Sequence, residues 1–476
     1  MKKKLKLAVS ILLAGIMLAA CNTAAPTNGD DILVAYDITD TPSKEPIKET
    51  VSEPSKESAS AVSEQESASE QEEIATPDTT PEAQESKAGA ETAKPDATKE
   101  PKATASPKPS SDPKATNTPA EPTPEPVINK PKPVRTGTYY KSELTGEMID
   151  QSLQNLRPVA IMVDNEISTY PHYGINQADV VYEMMNSTIN GRVTRFMCLV
   201  KDYEMITRFG GVRSIRPTNF LVGFPYEAIF CHDGGPYYIN DYVAKRYCYH
   251  FSGIFARFTR PASEHPAWAT SQKGKSYASE FTEFVTYEDY KNPNTGKTYT
   301  GLKTALAKAS FSTNYSSSYK GTGFNFLDSE TDLPGSSAAT KVTLPYPHTS
   351  TELRYNSSTK TYDLYEYGNL HTDAADNNNA TTFKNVLLLN TSFAQLDDHG
   401  YMVYNYYNFV SSVADKADGY YLTNGHVIPI KWSKSADDSE PAHYYNAQTG
   451  SELQMNVGKI YINLVPSDSW YSISIK

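Results

Sequence analysis

The first 137 residues almost lack aromatic side chains. Of the 34 Tyr, 16 Phe and 3 Trp residues in the chain, only Tyr36 precedes Thr138. A segment without aromatic residues buries too little apolar surface to offset its conformational entropy, so we expect it to be disordered. Residues 22–137 also hold 17 of the 31 prolines. We therefore predict that residues 21–137 form a disordered tether, which as a flexible coil would span about 60 Å.

Apolar runs of bilayer-spanning length are also missing at the N-terminus. Lys2, Lys3, Lys4 and Lys6 are followed by an apolar segment over residues 7–20. That segment is shorter than the roughly 20 residues a spanning helix needs, and it has the length of the apolar part of a secretory signal. We predict that residues 1–20 are a signal peptide, with an uncleaved transmembrane anchor as the alternative.

The segment Leu18-Ala19-Ala20-Cys21 resembles the lipobox of bacterial lipoproteins. The resemblance implies cleavage before Cys21 and a lipid on its sulfur. Two or three acyl chains, at about 0.8 kcal/mol per buried methylene, hold a protein firmly on a bilayer. We therefore expect a lipid-anchored protein on the extracytoplasmic face of the bacterial cell membrane.

Cysteine is scarce, since only Cys198, Cys231 and Cys248 remain besides Cys21. At most one disulfide could form among them, which excludes a disulfide-stabilised scaffold. The stability of the folded part must therefore come from a hydrophobic core. About 340 residues are enough for one large domain or two ordinary ones.

Excess positive charge is absent. The whole chain has a net charge of -12, and residues 22–137 contain 22 acidic against 12 basic residues. Residues 138–476 remain net acidic. A nucleic-acid-binding protein would have a basic footprint, so we predict no nucleic-acid partner.

Hydrophobic patterning after the tether predicts mainly strands. Short continuous apolar runs that end in polar turn formers indicate strands buried on both faces, and alternating patterns indicate half-exposed strands. Buried strands are predicted at residues 158–163, 178–185, 195–200 and 227–231. Half-exposed strands are predicted at residues 341–344, 361–367, 385–390, 401–407, 419–423, 426–431 and 459–465. Only two helices are predicted, over residues 278–290 and 302–309.

Several different short motifs follow one another in a defined order along the chain. They occupy residues 157–165, 177–183, 191–196, 211–217 and 232–235, followed by residues 430–434, 444–446, 450 and 457–459. This order resembles the YerB-like lipoprotein family. The resemblance covers about residues 155–470 and brings no settled activity and no cofactor.

The resemblance implies an α+β fold, a layered sandwich of two mostly antiparallel sheets with a helical layer. It divides the folded part into an N-terminal region at residues 138–300, a polar connecting segment at residues 301–340 and a β-rich C-terminal region at residues 341–476. The two regions are expected to pack as one unit.

Arginine usage is the sharpest functional signal. Eight of the eleven arginines fall between Arg192 and Arg260, a stretch with ten basic and five acidic residues in an otherwise acidic protein. The rigid guanidinium fork suits bidentate capture of carboxylate or phosphate. We predict an anion-binding site formed by Arg192, Arg195, Arg213, Arg216, His232 and Asp233.

The spacing of two arginines supports this prediction. Arg213 and Arg216 would face the same way in a helical turn, and Gly210 and Gly211 before them allow backbone N–H groups to form an anion-binding concavity. The alternative is structural, with the arginines paired to buried carboxylates such as Asp164, Asp179 and Glu183.

Candidate catalytic groups are weaker. Asp164, Glu183, His232 and Asp233 could act as general acids and bases on a glycan, or hold an oxygen-loving cation. No His-x-x-x-His or Cys-x-x-Cys spacing supports a zinc site, so no metal is predicted. Strand alternation places Cys231 and His232 on opposite faces, which argues against a thiol nucleophile.

Three functions remain open at this point. The leading hypothesis is a binding or accessory protein of the cell envelope that recognises an anionic ligand, either a wall-derived glycan or peptide or an envelope protein. The second is a hydrolase or transferase acting on wall polymer. The third is a scaffold for wall-synthesis proteins that works through the tyrosine-rich C-terminal sheet.

Overall fold

The computed structural model describes residue 133 and residues 135–253, 256–257, 279–293 and 295–476. The predicted signal peptide, Cys21 and nearly all of the predicted tether lie outside the described residues, as does Arg260. Within the described part the chain is mostly β, with few helices and several sheets.

Three α-helices occur among the described residues, and each is short: α1 (Pro217–Gly223), α2 (Asn240–Val243) and α3 (Leu302–Ala309). Single 3-10 turns connect many of the strands, at Gln151–Leu153, Ile167–Thr169, Ile175–Gln177, Tyr203–Met205, Phe224–Tyr226, Tyr237–Ile239, Ser279–Phe281, Ala374–Asp376 and Ser467–Ser472. None of the helices in this part of the chain is long and apolar enough to cross a bilayer.

The strands are numbered in chain order. The N-terminal half contains β1 (Tyr139–Lys141), β2 (Met148–Asp150), β3 (Val159–Asp164), β4 (Val180–Met185), β5 (Thr194–Val200), β6 (Phe209–Gly210), β7 (Ile229–His232), β8 (Tyr249–Ser252), β9 (Ala256–Arg257), β10 (Glu283–Val285), β11 (Tyr290–Lys291) and β12 (Thr298–Tyr299).

The C-terminal half contributes sixteen further described strands. They are β13 (Ser337–Ala338), β14 (Lys341–Thr343), β15 (Glu352–Asn356), β16 (Thr361–Glu366), β17 (Asn369–Leu370), β18 (Thr372–Asp373), β19 (Asn379–Ala380), β20 (Thr382–Phe383), β21 (Asn385–Thr391), β22 (Phe393–Gln395), β23 (Met402–Tyr404), β24 (Ala417–Thr423), β25 (His426–Ser433), β26 (His443–Asn446), β27 (Ile460–Pro466) and β28 (Ser474–Ile475).

One eleven-stranded mixed sheet organises the fold. Its order is β13-β25-β24-β21-β27-β4-β5-β3-β7-β8, with β26 paired to β25. The strand β27 pairs in parallel with β21 on one side and with β4 on the other. A strand from the end of the chain is therefore inserted between an N-terminal and a C-terminal strand, and the two regions share one sheet.

A second sheet of six strands is antiparallel throughout, with the order β17-β16-β15-β14-β28 and β20 paired to β16. Its strand β16 alternates between half-exposed and buried residues, as expected for a sheet with one face on the core. A three-stranded sheet (β6-β10-β9) and four two-stranded pairs complete the described architecture. One continuous hydrophobic core runs from Leu144 to Trp470 and includes side chains from both regions.

The predicted strands are present, with three local differences. The strand predicted at residues 401–407 extends only over Met402–Tyr404. Residues 385–391 and 460–466 are buried along almost their whole length, because β21 and β27 lie in the middle of the large sheet with both faces covered. The described part of residues 278–290 contains a 3-10 turn and β10 rather than a helix. There Phe284 is fully buried and pairs with Gly210, so tertiary pairing overrides local helix propensity.

Candidate anion-binding site

The ends of two parallel strands define the site. β3 and β7 pair in parallel from Val159 with Ile229 to Ile161 with Cys231. Beyond this pairing the strands separate, and β3 ends at Asp164 while β7 ends at His232. Polar residues from both strands therefore reach the same edge of the large sheet.

A third segment fills the gap between the two strand ends. The Asp164 amide donates to the Gly211 carbonyl at 3.0 Å, and the Arg213 amide donates to the Met162 carbonyl at 3.0 Å. On the other side, the Asp233 amide donates to the Arg213 carbonyl at 3.1 Å. The backbone thus brings Asp164, Arg213 and Asp233 together, although they are separated along the chain.

Two arginines converge on Asp164, whose side chain is almost fully buried. Arg213 Nε lies 2.9 Å from Asp164 Oδ2, and Arg195 Nη2 lies 3.6 Å from Oδ1. Arg195 Nη1 also donates to the Ser214 carbonyl at 2.6 Å. The Arg213 side chain is 28% exposed, so it connects the buried carboxylate with solvent.

Arg216 is the third cation of this cluster. Its Nη1 donates to the Ile215 carbonyl at 3.1 Å, and its guanidinium carbon lies 4.9 Å from the centre of the Tyr401 ring. Burial, together with the neighbouring Arg195 and Arg213, lowers the pKa of Arg216 to about 9.

Within the described part of the chain, the cluster has more positive charge than its ion-paired carboxylate neutralises. Among the described residues, Asp164 is the one carboxylate ion-paired with Arg195 or Arg213, and Arg216 has no carboxylate ion pair. The buried Nε atoms of Arg195 and Arg216 have no hydrogen-bond partner in this part of the structure. Excess guanidinium charge that reaches solvent through Arg213 favours an added anion.

A pair of histidines adjoins the arginines. His232 Nδ1 lies 2.8 Å from the Gly234 carbonyl, and its Nε2 lies 3.2 Å from His250 Nδ1. A carbonyl only accepts, so Nδ1 of His232 carries a proton. Burial lowers the pKa of His232 to about 3, so its ring is neutral and its Nε2 accepts from His250 Nδ1. Because burial also lowers the pKa of His250, the His250 ring is neutral and its Nε2 is left unprotonated.

Arg192 lies apart from this cluster. Its two terminal nitrogens each donate to Asp468 at 2.7 Å, and Nη1 also donates to Ser469 at 2.7 Å. This bidentate ion pair joins the β4–β5 turn to the segment after β27. Arg192 therefore serves as a link between the two regions in this structure.

Glu183 belongs to a separate, fully buried polar cluster. Its Oε1 accepts from Thr194 at 2.6 Å and from Thr351 at 3.0 Å, and its Oε2 accepts from the Tyr461 hydroxyl. Thr351 also contacts Glu366 at 2.9 Å. These partners fix Glu183 inside the protein, and its side chain is 0% exposed.

The described cysteines are buried free thiols. Burial raises the pKa of Cys248 to about 12, and it raises the pKa values of Cys198 and Cys231 well above the ordinary range. A thiol that stays protonated is a poor nucleophile. In the described ranges, no group of three or more His, Cys, Asp or Glu side chains is arranged to hold a metal ion.

Sequence reasoning missed two residues of the site. His250 lies next to the buried Phe251 in the short strand β8. A strand prediction over residues 249–252 would have identified it as a polar residue beside a buried one. Tyr401 carries no such signal, because it comes from a loop far along the chain and reaches Arg216 only through the tertiary fold.

Fold and site together define a mostly β protein with a mixed central sheet and an arginine cluster at the carboxyl ends of its parallel strands. Residues 144–286 match the family described as "Protein of unknown function (DUF3048) N-terminal domain", and residues 342–462 match its C-terminal domain. The chain belongs to this YerB-like family.

A curated sequence and a solved structure that resemble the chain both carry the YerB name and come from Bacillus subtilis. "Putative lipoprotein YerB" of Bacillus subtilis (strain 168) is 32% identical over 99 residues, which is 21% of this chain and 29% of that lipoprotein. The chain therefore matches under a third of the length of this curated relative. The crystal structure of YerB protein from Bacillus subtilis aligns with a TM-score of 0.51 and 18% identity, covering 71% of this chain and 99% of that one. At that identity the likeness shows the fold.

Proposed function

We propose that this chain is an extracytoplasmic lipoprotein, anchored through Cys21, whose folded part binds an anionic ligand in the cell envelope. The ligand is a wall-derived glycan or peptide, or a protein partner that presents the same negative charge. The lipobox-like sequence before Cys21 and the name of the Bacillus relative support the anchor. The proline-rich segment after Cys21 gives the folded part reach away from the membrane.

The single observation that carries the binding role is the charge balance at Asp164. Arg195 and Arg213 share one carboxylate within the described residues, and the charge of Arg216 adds to theirs. Two of these guanidinium groups have buried Nε donors without a hydrogen-bond partner in the described residues. A carboxylate or phosphate group beside the partly exposed Arg213 side chain would balance this charge with charge-assisted hydrogen bonds.

Acid–base chemistry has less support from this geometry. Asp164 is ion-paired with two arginines, and Glu183 is enclosed in the threonine and tyrosine cluster away from solvent. A glycosidase needs a pair of carboxyl groups facing a substrate between them. Binding is therefore the better account of the site.

The test is retention of the purified lipoprotein, in detergent, on insoluble cell-wall fragments. We expect the wild-type chain to be retained without new soluble products, and retention to weaken as salt screens the arginines. Arg213→Gln should reduce affinity about tenfold or more, since one charge-assisted contact is lost. Arg195 still pairs with Asp164 in this variant, so the fold should persist.

Arg354→Gln is the matched control. Arg354 is a half-exposed arginine on β15 that pairs with Glu352, in the second sheet. Its loss should leave retention unchanged. Equal retention of the Arg213→Gln variant would refute the site, new soluble products would favour a hydrolase or transferase, and no retention at all would favour a protein partner.

A further inference from the structure

A polar cleft of about 450 Å³ lies at the opposite edge of the large sheet from the arginine cluster. Lys384 and Lys459, which line it, directly precede the neighbouring parallel strands β21 and β27. The cleft is therefore at the amino ends of these strands, whereas the arginine cluster lies at the carboxyl end of β3. Its volume is in the range of small-ligand sites.

Gly458 allows the two lysines to approach each other. Its φ is +135°, and a Cβ at this position would lie 2.6 Å from the Cβ of Lys384. The amides of Lys384 and Asn385 both donate to the Lys459 carbonyl, at 3.0 and 3.1 Å. The lysine backbones are thus fixed side by side at the base of the cleft.

Lys384 is already satisfied by the protein. Its Nζ lies 2.5 Å from Glu330 Oε1 and 2.5 Å from Asn424 Oδ1, and it also donates to the Lys360 carbonyl at 3.3 Å. An ammonium group has three donors, so none is left for a ligand. The role of Lys384 is to hold the wall of the cleft in place.

Lys459 and Glu147 are the charged groups of the cleft that form no ion pair within the described residues. Lys459 Nζ donates to the Asn176 carbonyl and forms no ion pair within the described residues, so two of its N–H donors remain. The carboxylates of Asp179, Glu147, Asp373 and Asp376 lie near enough to act on its charge. Glu147 is exposed on the turn between β1 and β2, and its carboxylate has no partner in the described ranges. Both residues line the cleft without forming an ion pair with each other.

We propose that this cleft binds a short zwitterionic peptide, with the peptide carboxylate at Lys459 and the peptide ammonium at Glu147. The half-buried Lys459 offers a charge-assisted contact that excludes much of the solvent, and the exposed Glu147 accepts the cation at the cleft mouth. A neutral ligand would leave both charges unused, and a purely anionic ligand would meet the carboxylates of Glu147, Asp328 and Glu330.

The test is calorimetric titration of the full-length lipoprotein in detergent with L-alanyl-L-alanine. Binding in the millimolar range or tighter is expected for the wild-type chain. The same dipeptide with an acetylated amine, or with an amidated carboxyl, should each bind about tenfold more weakly, because one of the two charge contacts is lost.

The variants assign each contact. Lys459→Met should lower the affinity for alanyl-alanine about tenfold or more. The remaining affinity of this variant should be the same for the amidated dipeptide. Lys459→Arg should restore most of the affinity. Glu147→Gln changes an exposed residue and should leave the fold intact. It should lower the affinity for alanyl-alanine but not the affinity for the acetylated dipeptide. Lys303→Met, which alters an exposed lysine on α3 paired with Glu288, is the control.

Two results would overturn the proposal. One is the absence of any alanyl-alanine binding to the wild-type chain, and the other is unchanged affinity in both Lys459→Met and Glu147→Gln. The outcome is independent of the anion-binding function, since Arg213→Gln should retain alanyl-alanine binding.

Discussion

Glu183 and Glu366 meet at one hydroxyl group in the protein interior. The Thr351 hydroxyl lies 3.0 Å from Glu183 Oε1 and 2.9 Å from Glu366 Oε2. A hydroxyl has one proton and can donate to only one of the two carboxyl groups, so its contact with the other requires a proton on that carboxyl. Burial and the charge of Glu183 raise the pKa of Glu366 well above its ordinary value, which agrees with a shared proton.

This proton makes stability depend on pH. In the unfolded chain Glu366 loses its proton near its ordinary pKa of 4.5, whereas in the folded state the raised pKa retains it. The folded state then binds one more proton, so its stability is greatest below 4.5 and falls as pH rises, by up to about 1.4 kcal/mol per pH unit. The loss ends once pH exceeds the folded pKa.

Glu366→Gln should remove this dependence, since an amide can donate to Thr351 as the protonated acid does and never ionises. We expect the free energy of unfolding of the variant, relative to that of the wild type, to increase progressively as the pH rises above 5. Urea unfolding at each pH is the measurement. Burial also raises the pKa of Asp179 to about 7, so the difference between the chains is the informative quantity. Glu288→Gln, at a surface carboxyl, should follow the wild-type profile; a constant difference for Glu366→Gln would exclude the shared proton.

At the scale of the elements, the hairpin of β24 and β25 shows how turn chemistry and packing act together. Thr423 pairs with His426, so the loop consists of Asn424 and Gly425, with φ values of 51° and 77°. Two positive φ values define the turn that matches strand twist, and Asn-Gly is its favoured sequence. At Gly425 an added Cβ would also lie 2.7 Å from the Tyr355 ring of β15.

Gly425→Ala should therefore lower the free energy of unfolding by about 2–4 kcal/mol, combining backbone strain with overpacking against Tyr355. Gly335→Ala isolates the first contribution, because Gly335 has a φ of +79° and no atom within 4 Å of the added methyl group. It should cost about 1 kcal/mol. Denaturant unfolding of both variants tests this. Equal decreases in the free energy of unfolding would show that overpacking against Tyr355 contributes nothing.

At the scale of the whole molecule, β27 is the strand that makes the two regions one body. It pairs over seven residues with β21 and over five with β4, and all seven of its residues are buried. Its side chains also reach across the fold, since Tyr461 donates to Glu183. Removing this strand would expose a long apolar edge on each side of the gap.

Deleting residues 459–476 should consequently abolish cooperative unfolding of the entire folded part, including strands more than 250 residues away in sequence. Thermal unfolding followed by circular dichroism is the measurement. Deleting only residues 474–476, which removes the edge strand β28, should preserve a cooperative transition with a lowered midpoint. A cooperative transition of unchanged midpoint in the longer deletion would show that the N-terminal region folds independently.

Local sequence patterns predicted the strands well because they depend on short-range periodicity. The apolar runs at residues 159–164 and 194–200 appear as fully buried strands. The tyrosine pairs at residues 420–421 and 444–445 place one ring in the core and leave the other half-exposed, as strand alternation requires. The same periodicity could not show that β21 and β27 are central, since a strand's neighbours come from distant parts of the chain.

The candidate site was predicted less completely. The concentration of arginines between residues 192 and 260 indicated an anion site, and the fold brings Arg195, Arg213 and Arg216 together around Asp164. Sequence could not show that Arg192 lies apart from the other three arginines, because its partner Asp468 is 276 residues away. Nor could it indicate the cleft between Lys459 and Glu147, because no motif joins those positions.

The sequence by itself determined the strand content, the composition of the proline-rich N-terminal segment and the family, because each rests on residue types and their local order. The tertiary structure alone decided which charges meet: which arginines share Asp164, which carboxyls share a proton and which lysine is left with donors. Those outcomes depend on distances between residues far apart in the chain, and such distances exist only once β27 has joined the sheet.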